Sequence, residues 1–430
     1  MSETKDVELG NVESFSNEKN NYILFFVNSK SGGQKGKIVF SGLQKLTKNG
    51  GPASGSVHDL AMVSKGEEHL PQNIIRRFLI DHPKLRVLVC GGDGTMCWVL
   101  NAIASLNLSK DAIPKMACMP LGTGNDLSRM YGWGTSFQRS QLRWSHIKKI
   151  HCARSVQFDL WALRVIIPSE AMTDQVKKWL PPVLHLQEED GTTGEDLEIR
   201  IDDSGATSKV YTGHICNYVS IGMTARGAMA FHQERQNHPE SFTGPNKNKY
   251  IYAKKGCGMF CSDCCCHPEI RQRVVLHVEN DTTTSNSAST TSIRNEGSKG
   301  QDDSYKTVEI PSGLAEVNIL NIQSYSGGVI KTPTQFNCPP SAGDGYLEVG
   351  GLTNYIPTSF KVGLCCCCSV SPIRPLAQSS AVRLTIVGDD LPPVAAQFDG
   401  EPFYLPTGAV VEIRKEKNPV FMLSLKKMKT

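Results

Sequence analysis

Two glycine-rich turns about thirty residues apart carry the residue types that handle phosphate: Val89-Cys90-Gly91-Gly92-Asp93-Gly94-Thr95, then Met119-Pro120-Leu121-Gly122-Thr123-Gly124-Asn125-Asp126. Glycine suits such turns because a Cβ would hold the backbone away from phosphate oxygens and disfavour positive φ, while bare N–H groups at a helix start attract an anion. The chemistry these loops could do is phosphoryl transfer. Asp93 sets a condition on it: a bare carboxylate beside a phosphate is repelled, and a divalent cation bridging the two removes the repulsion.

Loops of this kind must be presented by regular elements. Leu85 to Cys90 and Ile113 to Met119 read as buried strands, and Met96 to Ala104 as the helix after the first loop. Tyr22 to Val27 is a third apolar strand, running into Asn28-Ser29-Lys30-Ser31-Gly32-Gly33 ahead of a helix near Gly36 to Thr47. Three such units in succession predict a parallel sheet. After Arg154 the segments Val156 to Val165, Leu197 to Ile201 and Tyr211 to Ile221 read as strands broken by turn residues, and Met223 to His238 as a helix ended at Pro239. The expected fold class is α/β, with a parallel-sheet nucleotide-binding domain over 21–153 and a β-rich domain over 154–425. Residues 1–20 and 281–304 are polar and poor in large aliphatic side chains, and are expected to be a disordered tail and a disordered surface insertion.

A chain of 430 residues with 39% hydrophobic and 20% charged residues has room for two cores and the composition of a soluble globular protein. A net charge of +4 makes no case for a nucleic-acid partner, and none is expected. No run approaches the eighteen or so apolar residues of a membrane span, and the first twenty residues hold no apolar signal core, so a cytoplasmic protein is expected. Two familiar nucleotide motifs are excluded. Gly32, Gly36 and Lys37 are one residue short of a Walker loop, with Ile38 where a hydroxyl should hold magnesium. Neither a His-Arg-Asp loop nor an Asp-Phe-Gly triplet occurs, which removes the protein-kinase design.

The string Gly91-Gly92-Asp93-Gly94-Thr95 resembles the signature of the superfamily of diacylglycerol, sphingosine, NAD and phosphofructokinases. Pro120-Leu121-Gly122-Thr123-Gly124-Asn125-Asp126-Leu127-Ser128-Arg129, followed by Trp133-Gly134, is similar to the eukaryotic diacylglycerol kinase form. The likeness continues through Val156 to Trp161, Asn217 to Gly222, Phe231 to Arg235, His238 to Glu240, Asn248 to Tyr250, Gly343 to Val349 and Gln397 to Pro402, and so spans about Tyr22 to Leu425. The resemblance implies an ATP- and Mg2+-dependent kinase phosphorylating diacylglycerol to phosphatidic acid. A ceramide or sphingoid-base kinase and an inactive lipid-binding regulator are the alternatives. Carried over by motif, Asn28, Ser31, Gly32 and Gly33, with Gly91, Gly92, Gly94 and Thr95 and with Gly122, Thr123, Gly124 and Asn125, would surround ATP. Asp93 and Asp126 would be acidic groups of the cleft, and Asp399 and Glu401 the carboxylate pair facing the transferred group, with Asp399 the general base. Asp344 would hold a structural magnesium, and Arg129 and Asp159 would form an ion pair beside the site, a pair equally readable as structural. Two departures stand out: Ser29 replaces a usual proline, and Thr224 a usual aspartate.

The cysteines of Cys257 to Cys266 and of Cys365 to Cys368 have three readings: a zinc site using Cys261, Cys264 and His267, palmitoylation beside Lys254 and Lys255, or small apolar residues without modification. Acylation would hold the enzyme peripherally on the membrane that stores its substrate, expected to be the plasma membrane, and Lys426 to Lys429 would add attraction to anionic lipid.

Overall fold

Ile23 to Val27 are buried without exception, the pattern of a central parallel strand covered on both faces. The computed structural model describes residues 22–33, 35–48, 53–181, 184–186, 199–200, 207–242, 247–248, 250–251, 269–280, 304–325, 328, 330–353, 373–389 and 391–426. The expected tail, nearly all of the expected insertion and both cysteine clumps lie outside the described residues. The first half alternates strand and helix: β1 (Ile23–Val27), α1 (Lys35–Thr47), β2 (Gly55–Asp59), α2 (Pro71–Leu79), β3 (Arg86–Gly91), α3 (Asp93–Ala104), β4 (Lys115–Pro120) and α4 (Asp126–Met130). Two short helices, α5 (Trp144–Ile147) and α6 (Lys149–Cys152), lead to β5 (Arg154–Phe158) and β6 (Trp161–Pro168). Then come α7 (Asp174–Lys178), β7 (His185–Leu186), β8 (Ile199–Arg200), β9 (Thr207–Ile215), β10 (Tyr218–Gly222) and α8 (Met223–Asn237). The rest is strand: β11 (Val274–Glu279), β12 (Tyr305–Val308), β13 (Leu314–Leu320), β14 (Ser324–Tyr325), β15 (Ile330–Lys331), β16 (Leu347–Thr353), β17 (Ile373–Ser379), β18 (Ala381–Ile386), β19 (Val394–Phe398), β20 (Glu401–Leu405), β21 (Val410–Lys415) and β22 (Val420–Ser424).

The first sheet has the order β2-β1-β3-β4-β22-β5, parallel from β2 through β22. The loops after β1, β3 and β4 therefore leave from the same edge, the carboxyl ends where open α/β sheets bind ligands. A single cut at 153/154 does not describe this sheet. β5 and the late strand β22 both belong to it, with β22 between β4 and β5. The Trp133 indole N–H donates to the Leu423 carbonyl at 2.6 Å, which helps hold that returning strand.

The two larger sheets of the second half are antiparallel, in the orders β17-β16-β13-β10-β19-β20 and β12-β11-β18-β21-β6-β9-β7. In the six-stranded sheet the period of two sorts side chains by face. Val219, Ile221, Val317, Ile319, Ala396 and Phe398 join the second apolar core. On the other face Ser220 stands in register with Asn318 and with Gln397, and Glu316 and Glu348 share that face, all five fully or almost fully buried. Buried polar groups of this kind need partners. The Gln397 amide donates to the Ser220 hydroxyl at 2.6 Å, and the Gln378 amide to Glu348 at 3.1 Å.

Glu348 is 1% exposed, and burial lifts its pKa to about 8, against the lowering effect of Gln378 and with a further push from Asp344. The unfolded chain ionises this group near the ordinary glutamate value, so raising the pH from about 4 to about 8 costs the folded state stability. Glu348→Gln keeps the shape without the charge. The variant should gain on wild type as pH rises, by up to about 3 kcal/mol between roughly pH 5 and 7.5. Denaturant unfolding of both proteins across that range checks this, and a constant difference would contradict it.

Candidate active site

β3 ends at Gly91 and α3 begins at Asp93, so Gly92 alone separates them, at the helix cap with no side chain capping it. The second loop comes alongside. A Cβ on Gly122 would lie 2.5 Å from the Gly92 Cα, and one on Gly92 3.1 Å from the Gly122 Cα. Only glycine at both places lets the two backbones meet. The loop after β1 joins them through the Asn28 amide, which donates to the Thr95 hydroxyl at 3.2 Å, while Gly32 and Gly33 take φ of 68° and 61° as the chain turns. Ser31 follows in the same turn, its N–H on the Asn28 carbonyl at 3.0 Å.

Asn125 shapes its own loop. It is 2% exposed, its oxygen accepts the Gly122 N–H at 2.9 Å, and its amide donates to the carbonyls of Gly122 and Thr135 at 2.8 and 3.0 Å. Its side chain thereby fixes the shape of the loop.

Asp93 is held by backbone. Its Oδ2 accepts the N–H of Asp126 at 3.0 Å and its Oδ1 the N–H of Leu127 at 3.1 Å, so the first residue of α3 caps α4. The repulsion anticipated for this carboxylate is met by N–H dipoles before any cation is considered. Burial pushes its pKa up, while the backbone donors and the Arg129 charge pull it down. Asp126 is 6% exposed. A Cβ at Gly124 would sit 3.0 Å from an Asp93 oxygen and 3.3 Å from an Asp126 oxygen, so the two carboxylates flank Thr123-Gly124.

The third carboxylate arrives from the other end of the chain. The expected strand Tyr211 to Ile221 is interrupted at Cys216 and Asn217, between β9 and β10. The N–H groups of Cys216, Asn217 and Tyr218 all turn onto Asp399, at 2.8 Å to Oδ2 and at 2.7 and 3.0 Å to Oδ1. Asp399 and Gly400 form the two-residue turn of the β19–β20 hairpin with φ of 50° and 90°, the positive values a tight right-twisting hairpin requires. Asp-Gly thus closes a hairpin and aims a carboxylate inward. Burial raises its pKa, opposed by the three backbone donors and by the Cys97 thiol. Cys97, one helical turn beyond Asp93, lies within the field of both Asp93 and Asp399.

Other positions fall differently. Glu401 leaves the turn with a side chain 45% exposed, 4.0 Å from the His232 ring, so it does not share the enclosed surroundings of Asp399. The proposed pairing of Arg129 with Asp159 is corrected: Asp159, 1% exposed, pairs with Lys415 at 3.0 Å and accepts the Gly345 N–H at 2.7 Å. Arg129 donates to the Gly124 carbonyl at 3.3 Å. Asp344 is exposed and accepts the Tyr346 N–H at 3.0 Å. At Thr224 a carboxylate is present after all. The Thr224 N–H and hydroxyl both donate to the fully buried Glu316, the hydroxyl at 2.7 Å. Glu316, Lys415, Cys97 and Cys216 were not singled out from sequence; of these, only the four-residue spacing of Asp93 and Cys97 on one helix offered a signal.

Residues 22–155 match the diacylglycerol kinase catalytic domain and residues 214–402 the diacylglycerol kinase accessory domain. The chain is 31% identical over 422 residues to diacylglycerol kinase 4 of Arabidopsis thaliana, spanning 89% of this chain and 77% of that one. It is 29% identical over 429 residues to diacylglycerol kinase 3 of the same plant, spanning 91% and 79%. With the eye-specific diacylglycerol kinase of Drosophila melanogaster it shares 28% over 355 residues, 82% of this chain and 20% of that protein.

Gly122 and Gly94 separate packing from ligand contact. Gly122→Ala drives a Cβ into backbone, whereas nothing lies within 4 Å of a Cβ at Gly94. Thermal unfolding should show Gly122→Ala destabilised by about 1–3 kcal/mol, the usual cost of overpacking, and Gly94→Ala unchanged or slightly stabilised. Equal effects at both positions would contradict the backbone contact.

Proposed function

The chain belongs to the diacylglycerol kinase family and is an ATP-dependent lipid kinase, and from that premise we propose that phosphoryl transfer takes place where the three loops of the first sheet face the β19–β20 turn. The carrying observation is that Asp93 and Asp126 flank the Thr123-Gly124 loop while Asp399, from a distant part of the chain, reaches Cys97 one helical turn beyond Asp93. In this reading the α3 N-terminus and the loops at Asn28 to Gly33 and Gly122 to Gly124 receive the ATP phosphates.

The free hydroxyl of 1,2-diacylglycerol attacks the γ-phosphorus in line, the bond from that phosphorus to the β-γ bridging oxygen breaks, and ADP and phosphatidic acid result. Charge spreads over the equatorial oxygens of a loose transition state, so the protein mainly positions and neutralises. Asp399 takes the hydroxyl proton. Its carboxylate accepts three backbone N–H groups and the Cys97 thiol, and the thiol, a weak donor, is the partner a substrate hydroxyl would displace. A pKa raised by burial makes it a better base than an exposed carboxylate. Glu401, nearly half exposed, would meet the lipid side of the site.

The oxygen donors flanking Gly124 suit Mg2+, with Asp126 and Asp93 as the residues to hold it. Bound there, the ion would neutralise charge on the transferring phosphoryl oxygens. Asp344, beside Asp159, is the further oxygen donor assigned to a structural magnesium. Diacylglycerol resides in bilayers, so turnover occurs at a membrane surface. Among the described residues no helix is long and apolar enough to cross a membrane, and peripheral attachment at the plasma membrane, helped by acylation at the cysteine clumps, is the arrangement we favour.

Transfer of labelled γ-phosphate to diacylglycerol, ceramide and sphingosine in mixed micelles tests this. Label should appear in phosphatidic acid, and Asp399→Ala should lower the rate by about 10²–10⁴-fold, the usual share of a general base. The wild-type rate should fall on the acid side above the ordinary carboxylate range, a limb the variant should lack. Label in a sphingolipid would reassign the substrate; lipid binding without turnover would make the chain a regulator.

A further inference from the structure

The geometry points to a further metal site, of a different chemical class from Mg2+: Cys97, Cys216 and Asp399 form a receptor for a borderline-soft divalent cation such as zinc, placed across the junction of the two halves of the fold. The sulfur atoms of Cys97 and Cys216 and a carboxylate oxygen of Asp399 all lie within 4.8 Å of one another. Cys97 comes from α3, Cys216 from the break between β9 and β10, and Asp399 from the β19–β20 turn. Among the described residues this is the only such grouping of cysteine, histidine and carboxylate donors.

Three properties favour a ligand over simple packing. The sulfurs are shielded, Cys97 being 3% and Cys216 0% exposed, while Asp399 keeps partial exposure as a path of entry. The donors are already oriented, because the Cys216 N–H is fixed on Asp399 at 2.8 Å and the Cys97 thiol meets both Asp399 and the Cys216 sulfur. The donor set also selects. Two thiolates and one carboxylate suit zinc-like ions, leaving the fourth tetrahedral position for water, whereas Mg2+ demands oxygen donors and keeps its own waters. Binding involves no redox change. Each sulfur forms a bond to the metal as its proton leaves to solvent, and the carboxylate contributes a lone pair it already has.

Occupancy would engage the carboxylate that the proposed mechanism uses as base and tie α3 to the β19–β20 turn. Loss of turnover on metal binding is therefore the expected consequence, and that consequence alone rests on the proposed function.

The test titrates cobalt(II) into the full chain and reads thiolate-to-cobalt charge-transfer absorption. The comparison is with Cys97→Ala, with Cys216→Ala, with Asp399→Asn, and with a chain carrying serine at Cys257, Cys261, Cys264, Cys265, Cys266 and Cys365 to Cys368. One equivalent of thiolate-bound cobalt should vanish in each alanine variant and persist in the serine-substituted chain. Asp399→Asn, which keeps both sulfurs, should retain the band at an affinity at least tenfold weaker; this variant answers the question even if an alanine variant does not fold. Zinc should inhibit wild-type lipid phosphorylation at concentrations at least tenfold below those needed for Cys97→Ala. Unchanged cobalt stoichiometry in the alanine variants, or a band confined to the clumped cysteines, would overturn the site. Binding at this site without loss of turnover would uphold it and remove Asp399 from proton transfer.

Discussion

Two carboxylates at the cleft are held by backbone N–H groups that regular structure leaves over, and the rest of the site depends on that arrangement. Asp93 takes the first donors of α4; Asp399 takes three donors released where β9 gives way to β10. Each charge-assisted bond is worth about 1.5–3 kcal/mol, and an unpaired buried carboxylate would cost more than that. The acidic groups are thus fixed chiefly by backbone, and among the described residues neither Asp93 nor Asp399 forms a salt bridge. Their pKa values stay raised rather than depressed, the condition under which a carboxylate can accept a proton or a cation.

The same logic couples the halves of the molecule. β22 enters the first sheet between β4 and β5, and Asp399 reaches back across 183 residues to the strand break at Cys216. Neither half carries a complete site. The glycine loops belong to the parallel sheet, while the inferred base belongs to the antiparallel one.

Much of this was legible in sequence because local chemistry sufficed for it. The glycine loops, the strands that present them and α8 each follow from apolar period and turn residues within a dozen positions, and the boundaries agree within a few residues. What depended on register between distant strands was not legible. Nothing near Val420 to Ser424 signals insertion beside β4, and nothing near Asp159 signals Lys415 rather than Arg129. Thr224 reads as the loss of a carboxylate until the pairing of Gly222 with Glu316 brings another to the same place. That both ends of the Asn125 amide also serve its own loop and Thr135 was likewise not legible.

The most direct test is a structure of the chain with a non-hydrolysable ATP analogue and Mg2+. The γ-phosphate should lie at the α3 N-terminus and the Gly122 to Gly124 loop, with the Asp399 carboxylate facing it across the space a hydroxyl would occupy. A nucleotide seated away from these loops, or a γ-phosphate turned from Asp399, would contradict the account.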